Sequence, residues 1–350
     1  MPFQVRTETR PCRADLDGTV YVLETPSGSR TEVWPALGFN CLSWRAPHRG
    51  QLTELLWADP QVWANPVPTR SGVPILFPFP NRIRAGRFTW GGKEYALPIN
   101  DPQERNASHG FVCSRPWRIV SAGAATADSG EACACLQGEF HSATDAPDAR
   151  RLWPADYALT ATYLLFEDEL SLHVEVRNPD TVPLPFGFGL HPYFRLPADR
   201  AVIKLPLSAD SLVRWVLEDC LPTGEQRPLE GKDRVLVEPG LSAPAPGTHW
   251  DEAYRLTGPT GRGLEGWLID PAADLAIGCR TLGGFRDVVL FTPPHREAVC
   301  LEPYTCVTDA INLCTRRDDT GLRVLPPGGT WRGAVTWWRA TTAEYAQGEA

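Results

Sequence analysis

Ser171-Leu172-His173-Val174-Glu175-Val176-Arg177 alternates strictly, with Leu172, Val174 and Val176 at every second position and polar residues between them. Side chains of a strand point to opposite faces with a period of two, so this stretch reads as a half-buried β-strand with His173 turned to solvent. The same reading extends outward. Phe88-Thr89-Trp90 and Lys93-Glu94-Tyr95 flank Gly91-Gly92, a two-residue turn that admits the positive φ angles of a hairpin. Further strands are expected over Tyr157 to Leu165, Arg234 to Val237, Leu275 to Arg280, Val288 to Thr292 and Gly333 to Trp338. The chain carries 34 prolines and 30 glycines, spaced closely enough to leave room for short strands and little room for long helices. The fold class read from these patterns is all-β.

Two regions read differently. Leu212, Val213, Val216, Leu217 and Cys220 recur at helical spacing, in a segment too short for periodicity to choose between helix and strand. The stretch from Gly123 to Arg150 is rich in Ala, Ser, Asp and Gly and reads as a long excursion around a short strand from Cys133 to Leu136. The last ten residues read as a loose tail.

Composition narrows the function. With 43% hydrophobic and 22% charged residues the chain is an ordinary globular sequence with a substantial core. A net charge of -8 provides no basic footprint for nucleic acid or an anionic membrane surface. The N-terminal Met1-Pro2-Phe3-Gln4-Val5-Arg6 lacks the apolar core of a signal peptide, and no run approaches the length of a membrane span. A cytoplasmic location is therefore expected, with the 10 cysteines as free, buried thiols rather than disulfides. Cys133 and Cys135 form only a Cys-X-Cys, and no paired Cys/His spacing calls for a metal. No glycine-rich nucleotide fingerprint opens a helix, which disfavours a dinucleotide enzyme.

Four segments place a polar or titratable residue among aromatics and prolines. In Pro74-Ile75-Leu76-Phe77-Pro78-Phe79-Pro80-Asn81-Arg82-Ile83, the prolines exclude a helix and hold Asn81 and Arg82 on a stiff loop. Ser108-His109-Gly110-Phe111 and Phe186-Gly187-Phe188-Gly189-Leu190-His191-Pro192-Tyr193-Phe194 each carry one imidazole, the side chain most easily tuned to either protonation state near neutrality. In Val299-Cys300-Leu301-Glu302-Pro303-Tyr304-Thr305, Glu302 follows an apolar run, where a carboxylate is costly unless it is paired or used.

Taken together, these segments resemble the aldose 1-epimerase (galactose mutarotase) family. The resemblance runs through Pro74 to Ile83, Gly91-Gly92-Lys93, His109-Gly110-Phe111, Trp153-Pro154-Ala155-Asp156-Tyr157, the run from Pro185 to Phe194, Leu221-Pro222-Thr223-Gly224, Asp251, Phe291-Thr292 and Glu302-Pro303. Order and spacing agree from about residue 15 to residue 340. The resemblance implies one large, twisted antiparallel β-sandwich domain over residues 1–350, with few short helices and an open sugar cleft. It also implies a strand near Leu212.

The implied reaction interconverts the α and β anomers of an aldohexose through ring opening, with one acid and one base on opposite sides of the hemiacetal. By the same resemblance Glu302 is the base at the C1 hydroxyl and His191 the acid at the ring oxygen. Asn81, Arg82, His109 and Asp251 would bind the sugar. An ionised carboxylate and an imidazolium held by nearby negative charge suit those roles, and no cofactor or metal is required. One departure stands out. Galactose mutarotases commonly carry Gln two residues before the Tyr-Thr pair, where this chain has Val289 before Phe291-Thr292. Two alternatives remain open: a hexose-6-phosphate 1-epimerase, for which Arg82, Arg84, Arg87 and Arg105 are candidate phosphate ligands, and a non-catalytic carbohydrate-binding sandwich. A glycoside hydrolase built on Asp251 and Glu302 would leave the histidines without a role.

Overall fold

The computed structural model describes residues 2–207, 211–241, 245, 247–257 and 263–348. The alternating stretch lies in the strand Glu169–Arg177, paired on one side with Ala158–Leu165 and on the other with Thr330–Ala340. Leu170, Leu172, Val174 and Val176 are buried and His173 is exposed, as the alternation requires. Ser171 departs from the pattern because the neighbouring strands cover it, and its hydroxyl shares a 2.7 Å hydrogen bond with that of Thr336.

Two large antiparallel sheets organise the chain. One contains eight strands and runs in spatial order Arg118–Thr126, Ala132–His141, Ala158–Leu165, Glu169–Arg177, Thr330–Ala340, Leu275–Leu282, Glu265–Asp270, Val202–Lys204. The other, also eight-stranded, runs Leu221–Pro228, Leu212–Glu218, Asp251–Leu256, Asp287–Phe291, Val299–Tyr304, Gly189–Leu190, Ile75–Leu76, with Tyr193–Phe194 pairing beside Val299 and Cys300. A five-stranded meander from Gln4 to Glu54 precedes both. The large sheets pack face to face through one apolar core that contains Leu172, Leu268, Ile277, Val288, Leu290, Val299, Leu301 and Trp337. Contact is close where Gly266 meets Leu301: a Cβ there would stand 2.9 Å from Leu301 Cδ1.

Strand parity decides what the second sheet shows on its other face. With Val299 and Leu301 in the shared core, Cys300, Glu302 and Tyr304 point the opposite way. Glu302 thus leaves the main core without leaving the protein, and its side chain is 2% exposed.

Several local expectations change. Arg234 to Val237 is not a strand but lies at the end of a 3-10 helix, Gly231–Leu236, since an apolar run of this length lacks a defining period. Half of the excursion after Gly123 is sheet, because strands Arg118–Thr126 and Ala132–His141 form a long hairpin around the short piece expected at Cys133. The tail is not loose: Thr342–Gly348 is helical, and Tyr345 packs edge-on against Trp267 with ring centroids 5.2 Å apart. Leu212–Glu218 is a strand. All 10 cysteines are free, with six buried and four half-buried. Among the described residues no helix is long and apolar enough to cross a membrane.

Candidate active site

The proline-rich loop is fastened to its surroundings by backbone bonds. His191 N–H donates to Pro74 O, Gly187 N–H to Pro78 O, and Phe111 N–H to Phe77 O. Asn81 and His109 both adopt left-handed conformations, with φ of 55° and 64°, and His109 N–H donates to Asn81 O at 2.7 Å. Gly110 follows with φ of 70°, and a Cβ there would lie 2.0 Å from Phe77 O, so only glycine lets this turn carry His109 against the loop. The short pairing of Arg82–Ile83 with Ala107–Ser108 completes the junction.

These constraints gather the expected residues into two groups: His191, His109 and Glu302 cluster together, while Asn81, Arg82 and Asp251 line a cleft that those three do not line. His191 Nε2 lies 3.4 Å from Glu302 Oε1, and the His109 and His191 rings meet edge to face with centroids 5.6 Å apart. Asn81, Arg82 and Asp251 line one cleft with Leu217, Cys220, Glu252, Ala253, Val289 and Thr308, which encloses about 220 Å³ with its open mouth included. Val289 sits on this wall, directly across the sheet from Glu302. Arg82 receives support from Asn81 Oδ1 at 3.0 Å and from buried Asp101 at 3.7 Å, which aims its guanidinium while leaving most of its donors free. Arg84, Arg87 and Arg105 do not converge on the cleft. Arg84 is half-exposed beside Asp309, Arg105 is exposed and paired with Asp219, and Arg87 is exposed.

Neither imidazole is a satisfied core histidine, since the buried Nδ1 atoms of His109 and His191 have no hydrogen-bond partner among the described residues. His191 is held instead by rings, stacked on Tyr193 at 4.7 Å and edge-on to Phe291 at 6.0 Å. One residue the sequence reading passed over completes the pair. Tyr304, two positions after Glu302 on the same strand face, donates its hydroxyl hydrogen to Glu302 Oε2, leaving Oε1 for His191. The i, i+2 spacing was the available signal.

The expected charge pattern also changes. Glu302 was read as ionised and His191 as protonated. Burial pushes the Glu302 carboxyl well above the usual carboxylate range, against the Tyr304 hydrogen bond and the Arg82 charge, which both pull it down. Burial pushes His191 down to about 3, with Arg82 adding to the effect, and also holds His109 well below the usual imidazole range. Burial thus favours the neutral form of each group, a protonated carboxyl beside an unprotonated imidazole, which leaves one proton on the pair.

A stability profile follows. Between about pH 4.5 and 6.5 the unfolded chain also carries one proton on these two groups, on His191, so the pair's contribution is flat there. Below pH 4.5 the unfolded chain binds a second proton that the folded pair refuses, and stability falls with pH. Above pH 6.5 the unfolded chain loses its proton while the folded pair keeps one, and stability falls as pH rises. Neither limb can exceed the one-proton slope of about 1.4 kcal/mol per pH unit. Urea unfolding of the wild type and of His191→Asn/Glu302→Gln across pH 3.5–9, as a difference curve, measures the pair alone; a difference without a plateau would contradict the shared proton.

A family model described as aldose 1-epimerase matches residues 20–338. The uncharacterised protein YihR of Escherichia coli K12 is 33% identical over 120 residues, 34% of each chain. Mouse galactose mutarotase is 29% identical over 168 residues, 45% of this chain and 43% of that protein. The chain aligns with less than half the length of these curated relatives. Among solved structures, a galactose mutarotase-like protein from Clostridium acetobutylicum superposes with a TM-score of 0.80 at 20% identity, covering 97% of this chain and 98% of the other. Galactose 1-epimerase from Lactobacillus acidophilus gives 0.73 at 16% identity, covering 97% and 99%. These likenesses establish an all-β, galactose mutarotase-like fold.

Proposed function

Since the chain belongs to the aldose 1-epimerase family, we propose that it catalyses the interconversion of the α and β anomers of a free, neutral aldose, with His191 and Glu302 as its acid and base. The observation that carries this reading is the 3.4 Å contact between two buried titratable groups, an imidazole and a carboxyl. The groups touch rather than flank a ring. That suits the reaction, because the C1 hydroxyl and the ring oxygen are bonded to the same carbon and present themselves together to a contacting pair.

With the pair's single proton moved from Glu302 to His191, Glu302 takes the C1 hydroxyl proton and His191 delivers its proton to the ring oxygen, so the C1–O bond to the ring opens and C1 becomes an aldehyde. Rotation about C1–C2 and the reverse transfers close the ring as the other anomer. Tyr304 and Arg82 favour the carboxylate that this direction needs, opposing the burial that favours the acid. His109 stands at the edge of the pair to hydrogen-bond the reacting oxygens. Arg82 and Asn81 meet Asp251 across the cleft, a donor and acceptor set for vicinal sugar hydroxyls.

The choice of a neutral sugar over a 6-phosphate rests on charge. Asp251 and Glu252 both line the cleft, Arg82 is its lone cation among the described lining residues, and that cation is engaged by Asp101. A phosphate ester would meet the Asp251 carboxylate, with Glu252 beside it in an ion pair with Lys232. Val289 adds an apolar patch where galactose mutarotases commonly offer a Gln. Polarimetry of freshly dissolved α-glucose, α-galactose and their 6-phosphates tests the reading: the free sugars should relax faster than their spontaneous rate and faster than the esters. A preference for the esters would replace the neutral-sugar reading, and unaccelerated relaxation of every aldose would remove the enzymatic one.

A further inference from the structure

Cys300 is buried one strand position pair before Glu302, on the same face, and no proton-transfer role calls for it. Its Sγ, a ring nitrogen of His191 and a carboxylate oxygen of Glu302 all lie within 4.8 Å of one another. Register explains the cluster: Cys300 pairs with Tyr193, two residues beyond His191, while Glu302 follows Cys300 by one pleat. No described residue hydrogen-bonds the Cys300 thiol, and the Tyr304 hydroxyl already occupies Glu302 Oε2, so Oε1 remains on the side of His191.

We infer that His191, Cys300 and Glu302 form a three-ligand site for zinc or a similarly thiophilic divalent ion, which blocks the reaction proposed above by capturing its acid and its base. A thiolate, an imidazole and a carboxylate are the donor types zinc takes, and three protein ligands leave its fourth position for a water or substrate oxygen. For tetrahedral zinc with ligands at 2.0–2.3 Å, neighbouring donor atoms stand roughly 3.4–3.6 Å apart. The His191–Glu302 separation of 3.4 Å already matches one edge of that tetrahedron. The remaining edges, within 4.8 Å, close by about an ångström of side-chain adjustment. On binding, the Cys300 thiol proton and the single proton of the His191–Glu302 pair both leave to solvent, and the ion takes their place. The cluster also distinguishes this strand from a plain acid/base pair, for which position 300 requires only an apolar residue of the same size.

The blocking effect rests on the proposed mutarotase reading, whereas the ion site itself does not, and the experiment separates them. Zinc chloride is titrated calorimetrically into the wild type and Cys300→Ser, and cobalt chloride is added to both to record a thiolate-to-metal charge-transfer band. One equivalent of zinc and a cobalt band are expected for the wild type, with the band lost and zinc affinity lowered at least about tenfold in Cys300→Ser. Cys300→Ala replaces the serine variant if the latter does not fold. Zinc should stop anomerisation with a midpoint equal to its dissociation constant, and a chelator should restore it. Equal zinc affinity in both proteins, or no cobalt band, overturns the site. Zinc bound through Cys300 while anomerisation proceeds undiminished overturns the block. If no aldose is anomerised by the untreated protein, the mutarotase reading fails while the titration still decides the site.

Discussion

Glu302→Gln is expected to lower the anomerisation rate about 10³-fold, equivalent to about 4 kcal/mol of transition-state stabilisation, while the sugar dissociation constant moves only a few-fold. Glutamine keeps the volume of the side chain in a site where Glu302 is almost wholly enclosed, so packing beside Val289 is undisturbed. Its amide oxygen still accepts the Tyr304 hydroxyl, and its amide nitrogen faces His191 Nε2, which accepts a hydrogen bond when neutral. What disappears is the proton traffic. An amide neither takes the C1 hydroxyl proton nor returns it, and the single proton of the pair has no second resting place. Binding depends instead on Arg82, Asn81, His109 and Asp251, which the substitution leaves alone. Polarimetric rates set beside calorimetric sugar titrations separate the two effects. A rate within about tenfold of wild type would take Glu302 out of the chemistry, and parallel loss of binding and rate would make it a binding residue.

The sequence carried the sheet faces wherever alternation was long, as at Leu172, Val174 and Val176, because burial on one side imposes a period of two. It failed where the period ran out. Arg234 to Val237 has too few residues to show a face, and helix Thr342–Gly348 is held by the contact of Tyr345 with Trp267, some 80 residues earlier, which no local pattern records. The site residues were legible as motif segments, yet their geometry was not. That His191 and Glu302 touch depends on two registers, Gly189 opposite Tyr304 and Tyr193 opposite Cys300, set by pairing between distant segments. The charge state was misjudged for a related reason: burial sets it, and burial is a property of the assembled sheet. Tyr304 and Cys300 could have been found by parity alone once Val299–Tyr304 was read as a strand with Glu302 facing away from the shared core.

The largest stability effect should come from a residue outside the cleft. Arg255 and Asp287 are each 1% exposed and form a bidentate pair, with Nε and Nη2 donating to the two carboxylate oxygens at 2.8 and 2.7 Å. Arg255 also reaches the carbonyls of Asp319 and Thr320, and Trp215 Nε1 donates to the same Asp287 carboxylate. Arg255→Met keeps the aliphatic stem but strands a buried carboxylate, a loss of about 3–5 kcal/mol. The deficit should be smaller in acid. Burial already pushes the Asp287 carboxyl upward, and without its cation it protonates more readily still, so a proton partly replaces the arginine at low pH and is unavailable at high pH. Arg255→Met/Asp287→Leu should recover part of the loss, since an apolar pair strands no buried charge, although the Trp215 N–H loses its acceptor and the Asp319 and Thr320 carbonyls lose a donor. The consequence reaches the site through the sheet, because Asp287 stands directly across from Tyr304, whose hydroxyl holds Glu302. Urea unfolding of both variants at pH 5 and pH 8 provides the measurement. A double variant no more stable than Arg255→Met would mean that the arginine's bonds to the 319–320 carbonyls, rather than the stranded Asp287, hold this corner of the sheet together.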